Sequence, residues 1–476
     1  MTRTVVIDPV SRIEGHAKIT LVLGDDDRVV DARFHVGEFR GFEKFCEGRP
    51  FYEMPSLTAR VCGICPVSHL IASGKACDQI LAVHTPVPAR KLRRLLNLAQ
   101  ILQSHALSFF HLSSPDLILG MESNPAQRNI FGLIAAEPEY ARGGIRLRSF
   151  GQRIIETLGG KRIHPTYVVP GGVSAPLSAK GRDEIHEGIA EARAIATEAI
   201  ERFKRLLDGY RDEVMVFGKF PSLYLGLVTP EGDWEHYEGS LCVMNGDGMI
   251  VAENIPPAEY ESYFAERVDA GSYMKPAFYR PLGEAAGMYR VGPLARLNLC
   301  KHMGVPLADR ELAEYRHRYP PPASSSFLYH YARLIEILAS VEHIARLIDD
   351  PEILSPRIRA EASINRLEAV GVSEAPRGTL FHHYKVDENG RVERVNLLIA
   401  TGQNHGAMNK TVLQIARHYV KGPEIPEGVL NRLEAGIRSF DPCLSCSTHA
   451  YGQMPLAVEL VREDGTVVAR RMRSSK

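Results

Sequence analysis

Two pairs of cysteines are the residues of this sequence best suited to chemistry. Cys62 and Cys65 form one Cys-x-x-Cys pair, and Cys443 and Cys446 form a second pair near the opposite end of the chain. Four thiolates are a soft ligand set that suits zinc, iron–sulfur clusters, iron or nickel. The other cysteines are isolated in the sequence, and we expect each to be a small buried hydrophobic residue. The two pairs therefore predict a metal or redox site.

Two simpler interpretations compete with a single deep metal site. A structural zinc module keeps its two cysteine pairs within roughly 15–20 residues of each other, whereas these pairs are almost a whole chain apart. Two separate redox pairs of the thioredoxin type would each follow a strand in a short βαβ unit, and neither pair does. One site built from both pairs would draw the two ends of the chain together in the interior.

Composition excludes several classes of protein. The chain has 476 residues, 45% of them hydrophobic, and a formal net charge of +0. A neutral chain without a basic stripe is not typical of a nucleic-acid-binding protein. No apolar run is long enough for a membrane span, and residues 1–13 contain no apolar signal core. We therefore expect a cytoplasmic protein, unless a partner carries the export signal.

Periodicity places most of the chain in helices. Alternating residues predict strands over 4–7, 17–23 and 29–36, whereas helical spacing is found over 89–112, 178–216, 324–349, 404–419 and 427–440. A strand is expected over 392–400, and hairpins around 246–248 and within 454–470. The predicted fold class is α+β but mostly α: a large central bundle of long helices with small peripheral β-sheets and hairpins. We find no glycine-rich phosphate loop, and therefore expect no nucleotide or flavin on this chain.

Five motifs resemble, in the same order, those of nickel–iron hydrogenase large subunits. Two of them are the cysteine pairs, each followed by a histidine. The other three motifs precede one pair or the other. The segments are Ser11-Arg12-Ile13-Glu14-Gly15-His16, Arg40-Gly41-Phe42-Glu43, Arg60-Val61-Cys62-Gly63-Ile64-Cys65 with His69, Ala375-Pro376-Arg377-Gly378, and Asp441-Pro442-Cys443-Leu444-Ser445-Cys446 with His449. Together they span nearly the whole chain.

The resemblance implies a nickel–iron centre with CO and cyanide on the iron. By position, all four paired cysteines bind nickel, and Cys65 and Cys446 also bridge to iron. Cys62 and Cys443 are then terminal ligands of nickel. Such a centre would cleave H2 reversibly into protons and electrons, because a metal that accepts hydride lies beside a base that accepts the proton.

The same resemblance gives catalytic roles to residues outside the cysteine pairs. Glu14 is implied as the first proton acceptor beyond Cys443, although its motif alone favours an ion pair with an arginine. Arg377 is implied to point its guanidinium toward the cyanides. Thr401 aligns with a hydroxyl residue that hydrogen-bonds a cyanide, and Asp441 is implied to hold Arg377 in place.

A second metal ion is implied close to the first. Glu43, the carbonyl of Leu397 and His449 resemble the ligands of the family's buried magnesium (or iron) ion, which would keep several waters. Considered alone, Glu43 is more typical of a surface residue and His449 of a helix end. His69 and Asp116 are expected to support the centre from just outside it. His105 and His111 are more typical of core histidines.

The domain organisation follows from the position of the last motif. We expect one large-subunit domain over 1–449, with a β-rich portion over about 1–40 and a helical body over about 55–440. Residues 450–476 are then a C-terminal extension, interpreted as a maturation peptide that is cut after His449. A maturation endopeptidase and nickel-insertion factors are therefore expected partners.

The form of the second cysteine motif most resembles the soluble bidirectional group that couples H2 to NAD(P). This resemblance implies two kinds of partner, an iron–sulfur small subunit and, beyond it, a flavin-containing, NAD-reducing module. Two alternatives remain: a non-catalytic homologue of the complex I quinone-site type, and a structural zinc protein.

Overall fold

The computed structural model describes residues 3–25, 28–269, 271–422, 425–449, 456–461 and 467–473. Its centre is a set of long helices whose apolar faces pack on one another in a single large core. The longest are Pro66–Leu81, Val87–Ala106, Pro138–Gly159, Ala179–Leu207 and Tyr329–Ile348. Apolar residues at helical spacing place one face of each helix against its neighbours, which is the main source of helix stability in a folded chain.

Shorter helices surround this bundle. They are Phe42–Cys46, Met54–Thr58, Ser114–Leu119, Ile130–Ala136, Arg211–Val216, Tyr260–Tyr263, Gly283–Ala286, Pro293–Leu299, Pro306–Arg318, Ala400–Gln403, His405–Tyr419, Glu427–Ser439 and Leu444–Ser447. Single 3₁₀ turns cover Phe51–Glu53, Ala59–Val61, Asp208–Tyr210, Pro257–Glu259, Arg280–Leu282, Ser326–Leu328 and Pro351–Leu354. A π-helical turn over Leu107–Ser113 continues the second long helix. Among the described helices, none combines the length and hydropathy that a membrane span requires.

Antiparallel pairing dominates the sheets. The N-terminal sheet has the order Arg3–Ile7, Ala17–Leu23, Val29–Val36, and a second three-stranded sheet has the order Glu368–Ala375, Gly378–Val386, Val392–Leu398. A four-stranded sheet has the order Tyr289–Arg290, Leu223–Val228, Ser240–Met244, Ile250–Ile255, with a parallel pairing between its first two strands. The two-stranded pairs are Phe264–Glu266 with Ala277–Tyr279, Val168–Val169 with Gly172–Val173, and Leu456–Val461 with Val467–Arg473.

The predicted fold class is confirmed, and the differences have local causes. The side chain of Ser178 caps its helix by accepting a hydrogen bond from the N–H of Gly181. The helix was predicted to continue to about Val216 but ends at Leu207. A 3₁₀ turn that contains Gly209 follows Leu207 directly and interrupts the helix. The hairpin strands predicted within 454–470 pair as expected, although their turn lies outside the described residues.

One sheet lies deeper than the predicted peripheral sheets. Strands Glu368–Ala375 and Gly378–Val386 are buried along nearly their whole length, beneath the helix Pro66–Leu81. Strands buried on both faces lack alternation of polar and apolar residues, so periodicity does not distinguish them from the helical body. This interior sheet carries Arg377 at the turn between its first two strands.

Candidate metal centre

The four paired cysteines meet in the interior. The Sγ atoms of Cys62 and Cys443 are 3.2 Å apart, those of Cys65 and Cys446 are 3.3 Å apart, and those of Cys443 and Cys446 are 3.0 Å apart. All four side chains are buried, and all four sulfurs lie within 4.8 Å of one another. None forms a disulfide. Among the described residues, this is the single cluster of His, Cys, Asp and Glu side chains with metal-binding geometry.

The first pair is positioned by its own local segment. Cys65 is the residue before the buried helix Pro66–Leu81, and Cys62 lies three residues earlier in extended backbone. The Cys62 sulfur accepts hydrogen bonds from the N–H groups of Ile64 and Cys65, at 3.2 and 3.4 Å. The carbonyl of Ile64 in turn accepts two amide hydrogen bonds at 2.8 Å from the neighbouring long helix, donated by Gln100 and Gln103.

The second pair is positioned by residues remote in sequence. Cys443 directly precedes the single helical turn Leu444–Ser447 and Cys446 lies within it, and this turn is too short to be stable alone. Glu14 forms a parallel β-bridge with Cys443, and its carboxylate accepts hydrogen bonds from the N–H of Ser445, at 2.9 Å, and from the Ser445 hydroxyl. The N–H of Cys443 donates to the hydroxyl of Thr401 at 3.0 Å.

The segment Arg40–Glu43 joins both pairs. The N–H groups of Arg40 and Gly41 donate to the carbonyl of Thr448, and the Arg40 guanidinium donates to the carbonyls of Val61 and Ser445. Gly41 has φ = 57°, a left-handed conformation that glycine adopts at little cost. This segment therefore links the chain before the first pair to the chain around the second.

Burial and mutual contact set the electrostatics of the four thiols. Hydrogen bonds from Cys443, Cys446 and Cys65 hold the pKa of Cys62 well below its usual range. Burial raises the pKa of Cys443 and of Cys446 well above their usual range. Packing several ionisable sulfurs into one dry site is unfavourable for anions without a compensating cation. The cluster therefore favours a metal ion, whose charge would stabilise the deprotonated sulfurs.

Arg377 supplies a fixed positive charge beside the thiols. Burial alone would lower the pKa of Arg377, but Asp441 and the nearby cysteines keep it well above its usual range. Its guanidinium donates to the Asp441 backbone carbonyl at 2.5 Å and carboxylate at 3.1 Å, and to the Ser104 hydroxyl at 3.5 Å. Burial raises the pKa of Asp441 even beside this arginine. Asp441 thus contacts Arg377 as predicted.

His69 lies directly against one of the cysteines. Its Nε2 atom is 3.4 Å from the sulfur of Cys446, and its Nδ1 atom is 3.0 Å from the Nε2 atom of His382. Burial lowers the pKa of His69 to about 4, which keeps the ring neutral near pH 7. A small cavity beside these groups is walled by Arg377, Thr401 and apolar side chains.

The three residues expected around a second ion are also adjacent. The Glu43 carboxylate accepts a 2.8 Å hydrogen bond from the N–H of Leu397 and lies 3.4 Å from the Nε2 atom of His449. The Nδ1 atom of His449 is 2.9 Å from the carbonyl of Cys446, while its buried Nε2 atom has no hydrogen-bond partner. Burial lowers the pKa of His449, and Glu43 and the Leu397 carbonyl oppose that effect. A neutral imidazole nitrogen beside a carboxylate suits a divalent cation.

Asp116 contacts arginines rather than the cysteines or the Glu43–His449 pair. Its carboxylate pairs with Arg12 and Arg438, and also with Arg128 at 3.4 Å. Because Arg12 lies two residues before Glu14, Asp116 holds the segment that carries Glu14. His105 is a buried histidine, 2.8 Å from the carboxylate of Glu336.

Several residues that surround the four cysteines were not identified from the sequence. Ser445 lies inside the second Cys-x-x-Cys motif, where its spacing offered a signal. His382 and Tyr384 lie two apart on one interior strand, and such alternate positions share a face. Ser104 and the two glutamines are ordinary helix residues, and no sequence pattern distinguishes them.

Comparison with known proteins identifies the family of this chain. The profile described as nickel-dependent hydrogenase matches residues 40–129 and 258–449, and one described as HoxL-like matches residues 4–39. The chain belongs to the nickel-dependent hydrogenase large-subunit family. It is 41% identical over 490 aligned positions to the NAD-reducing hydrogenase HoxS subunit beta of Cupriavidus necator, covering 99% of this chain and all of that one. It is 31% identical to the alpha chain of sulfhydrogenase 2 from Pyrococcus furiosus, covering 93% of this chain and 98% of that one.

Solved structures agree with this assignment. The crystal structure of an NAD+-reducing [NiFe]-hydrogenase in the H2-reduced state superimposes with a TM-score of 0.91 at 42% identity, covering 94% of this chain and 99% of that one. The Ni-Fe-Se hydrogenase of D. vulgaris Hildenborough superimposes with a TM-score of 0.77 at 24% identity, which establishes the shared fold. The predicted family, the mostly helical fold and the hydrogenase activity are confirmed.

The donor set fits a nickel–iron centre. The four buried thiols of Cys62, Cys65, Cys443 and Cys446, which are in mutual contact, would hold the nickel–iron centre. When bound, the metals supply the redox-active Lewis acid at which H2 is cleaved heterolytically. The protein positions the sulfurs, excludes bulk water and places a fixed guanidinium at the cavity wall. The Glu14 carboxylate accepts hydrogen bonds from Ser445, which lies between the two cysteines of the second pair, and the Glu14 backbone bridges to Cys443.

Proposed function

We propose that this chain cleaves and forms H2 reversibly and exchanges the electrons with NAD(P) through partner subunits. The observation that carries the proposal is the cluster of four buried thiols, combined with extensive identity to a hydrogenase whose name describes NAD reduction. Among the described residues we find no further cysteine cluster that could hold an iron–sulfur cluster, which favours passage of the electrons to a partner. An iron–sulfur small subunit would accept the electrons, and a flavin-containing, NAD-reducing module would pass them to NAD(P). The assembly would be cytoplasmic.

In this proposal, Glu14 accepts the proton released at Cys443. The Ser445 N–H and hydroxyl hold the carboxylate in place, and the β-bridge fixes the backbone of Glu14 beside that of Cys443. A general base must lie within hydrogen-bond reach of its proton donor, directly or through one water. Asp116, through Arg12, restrains the other end of this segment.

The iron would carry CO and cyanide, and the cavity wall suits small anionic ligands. Arg377 has a rigid fork of donors that is held in place by Asp441, and Thr401 has a hydroxyl beside it in the same wall. Glu43, His449 and the Leu397 carbonyl would hold a magnesium (or iron) ion whose waters extend the proton path. The unpartnered Nε2 atom of His449 supports this assignment.

Residues 450–476 would be a maturation peptide, removed after His449 once nickel is loaded. Full-length alignment to the Cupriavidus necator protein covers 99% of this chain. The alignment with the crystallised NAD+-reducing enzyme covers 99% of the crystallised chain but only 94% of this chain. Loss of a terminal segment from the mature protein would account for this difference. A maturation endopeptidase and nickel-insertion factors would serve this step.

Infrared spectroscopy with metal analysis of the purified complex tests the proposal. We expect one nickel atom per chain, iron in excess of nickel because the small subunit would carry iron–sulfur clusters, bands of metal-bound CO and cyanide, and H2-dependent reduction of NAD(P) or a dye. Zinc at one atom per chain, without those bands and without H2-dependent reduction, would overturn it. Mass spectrometry of the same sample reports whether the chain ends at His449.

A further inference from the structure

A chain of buried polar groups that does not include Glu14 begins at the sulfur of Cys446. His69 Nε2 is 3.4 Å from that sulfur, and His69 Nδ1 is 3.0 Å from His382 Nε2. His382 Nδ1 is 2.5 Å from the hydroxyl oxygen of Tyr384, which lies 2.9 Å from Ser73 Oγ. Four side chains thus form one continuous series of contacts.

These side chains come from two elements that pack on each other. His69 and Ser73 lie one turn apart on the helix Pro66–Leu81, while His382 and Tyr384 share a face of the strand Gly378–Val386. All four are at most 1% exposed. None of the described hydrogen-bond partners of the two imidazoles is a carboxylate. Burial without a counterion favours neutral rings, so each imidazole has one N–H donor and one acceptor nitrogen.

The direction of the hydrogen bonds follows from the state of the sulfur. A metal-bound thiolate can only accept, so His69 must donate from Nε2 and accept at Nδ1. His382 must then donate from Nε2 and accept at Nδ1, which requires the Tyr384 hydroxyl to donate to it. The Tyr384 hydroxyl has only one proton, so once it donates to His382 the contact with Ser73 requires the Ser73 hydroxyl to donate to the Tyr384 oxygen. In this arrangement every contact is a hydrogen bond, and each residue fixes the tautomer of the next.

We propose that His382 and Tyr384 are positioning residues that hold His69 in the tautomer that donates a hydrogen bond to the bridging sulfur of Cys446. This inference rests on the proposed nickel–iron centre with its CO and cyanide ligands. A hydrogen bond donated to a thiolate draws electron density away from the sulfur and hence from the iron that it bridges. Outer residues of this kind tune a metal centre by orienting the groups that touch it.

Infrared spectra of three variants in the metal-loaded complex test the proposal. His382→Leu removes the donor to His69, so the sulfur becomes a stronger ligand and the CO band should move to lower wavenumber. Tyr384→Phe should give a smaller shift in the same direction, because it leaves His382 in place but frees its tautomer. His382→Gln keeps an N–H donor near His69, so its CO band should return toward the wild-type position.

Tyr167→Phe is the matched control. This variant also removes a buried tyrosine hydroxyl, but one that has no hydrogen-bond partner. We expect the wild-type spectrum from it. Nickel and iron contents of every variant are measured on the same samples.

The outcomes separate the two proposals. Wild-type protein without nickel or the CO and cyanide bands overturns the proposed function. If the wild-type protein shows the CO and cyanide bands but the fully loaded His382→Leu and Tyr384→Phe variants show no shift, only the positioning role of His382 and Tyr384 is overturned. If His382→Leu does not load, the spectrum of Tyr384→Phe decides by the same criterion. Loss of metals from both His382→Leu and Tyr384→Phe, with normal loading of the control, would assign these residues to assembly and contradict the tuning role.

Discussion

The two cysteine pairs reach one site by different routes. Cys62 and Cys65 belong to a segment that continues into a long buried helix, and the sulfur of Cys62 accepts hydrogen bonds from its own backbone. Cys443 directly precedes one short helical turn and Cys446 lies within it, and the hydrogen bonds that support this turn come from residues 14, 40 and 401. The comparison teaches that the first half of the site forms locally, whereas the second half exists only once the whole chain has folded.

Removal of a metal-binding sulfur should have the largest effect. The loss of nickel and activity should be the same whichever pair the sulfur belongs to. Cys446→Ser replaces a soft thiolate with a hard hydroxyl, so we expect loss of nickel and no detectable H2 oxidation. Cys62→Ser should behave alike despite its local support. Metal analysis and H2-dependent dye reduction measure both outcomes, and Cys242→Ser provides a buried cysteine outside the site. Nickel bound normally in Cys446→Ser would show that the pairs do not share one centre.

Substitution of the remote carboxylate should separate metal binding from proton transfer. Glu14→Gln keeps the shape and the hydrogen bond from Ser445 but cannot accept a proton. We expect retained metals, with H2/D2 exchange and turnover reduced by about 10²–10⁴-fold. Exchange is followed by mass spectrometry, and the exposed Glu38→Gln serves as the control. Normal exchange in Glu14→Gln would remove this residue from the proton path.

Loss of one long-range support should destabilise the second pair. Thr401→Val leaves the N–H of Cys443 buried without an acceptor, which costs about 1–3 kcal/mol. We expect a lower midpoint in denaturant unfolding and slower or incomplete nickel loading. Thr401→Ser keeps the hydroxyl and should retain most of the stability. If Thr401→Val unfolds at the wild-type denaturant concentration, the remote contact does not stabilise the second pair.

The equivalent change beside the first pair should have the smallest effect. Gln100→Leu removes one donor to the carbonyl of Ile64, but Gln103 donates to the same oxygen. The buried Oε1 atom of Gln100 has no hydrogen-bond partner, so the leucine also removes an unsatisfied acceptor. We expect a change in unfolding free energy below about 1 kcal/mol and normal nickel content. A larger loss than that of Thr401→Val would reverse the comparison.

The same contrast explains what the sequence could predict. The cysteines, Glu14, Glu43, Arg377 and His449 stand in recognisable motifs, and the structure brings them together. Three of the five longest helices were predicted from their 3.6-residue period, whereas Pro66–Leu81 and Pro138–Gly159 were not. The interior sheet was largely missed because strands buried on both faces carry no alternation. Tyr384 was missed because its role depends on a contact with residues of a distant helix, which no local pattern encodes.

The central claim is that both ends of the chain place four sulfurs around one nickel atom. X-ray absorption at the nickel edge of the purified, active complex tests it most directly. We predict a nickel coordination shell made mainly of four sulfur atoms, with an iron atom as the next heavy neighbour. A shell dominated by nitrogen or oxygen, or one with only two sulfurs, would contradict the account.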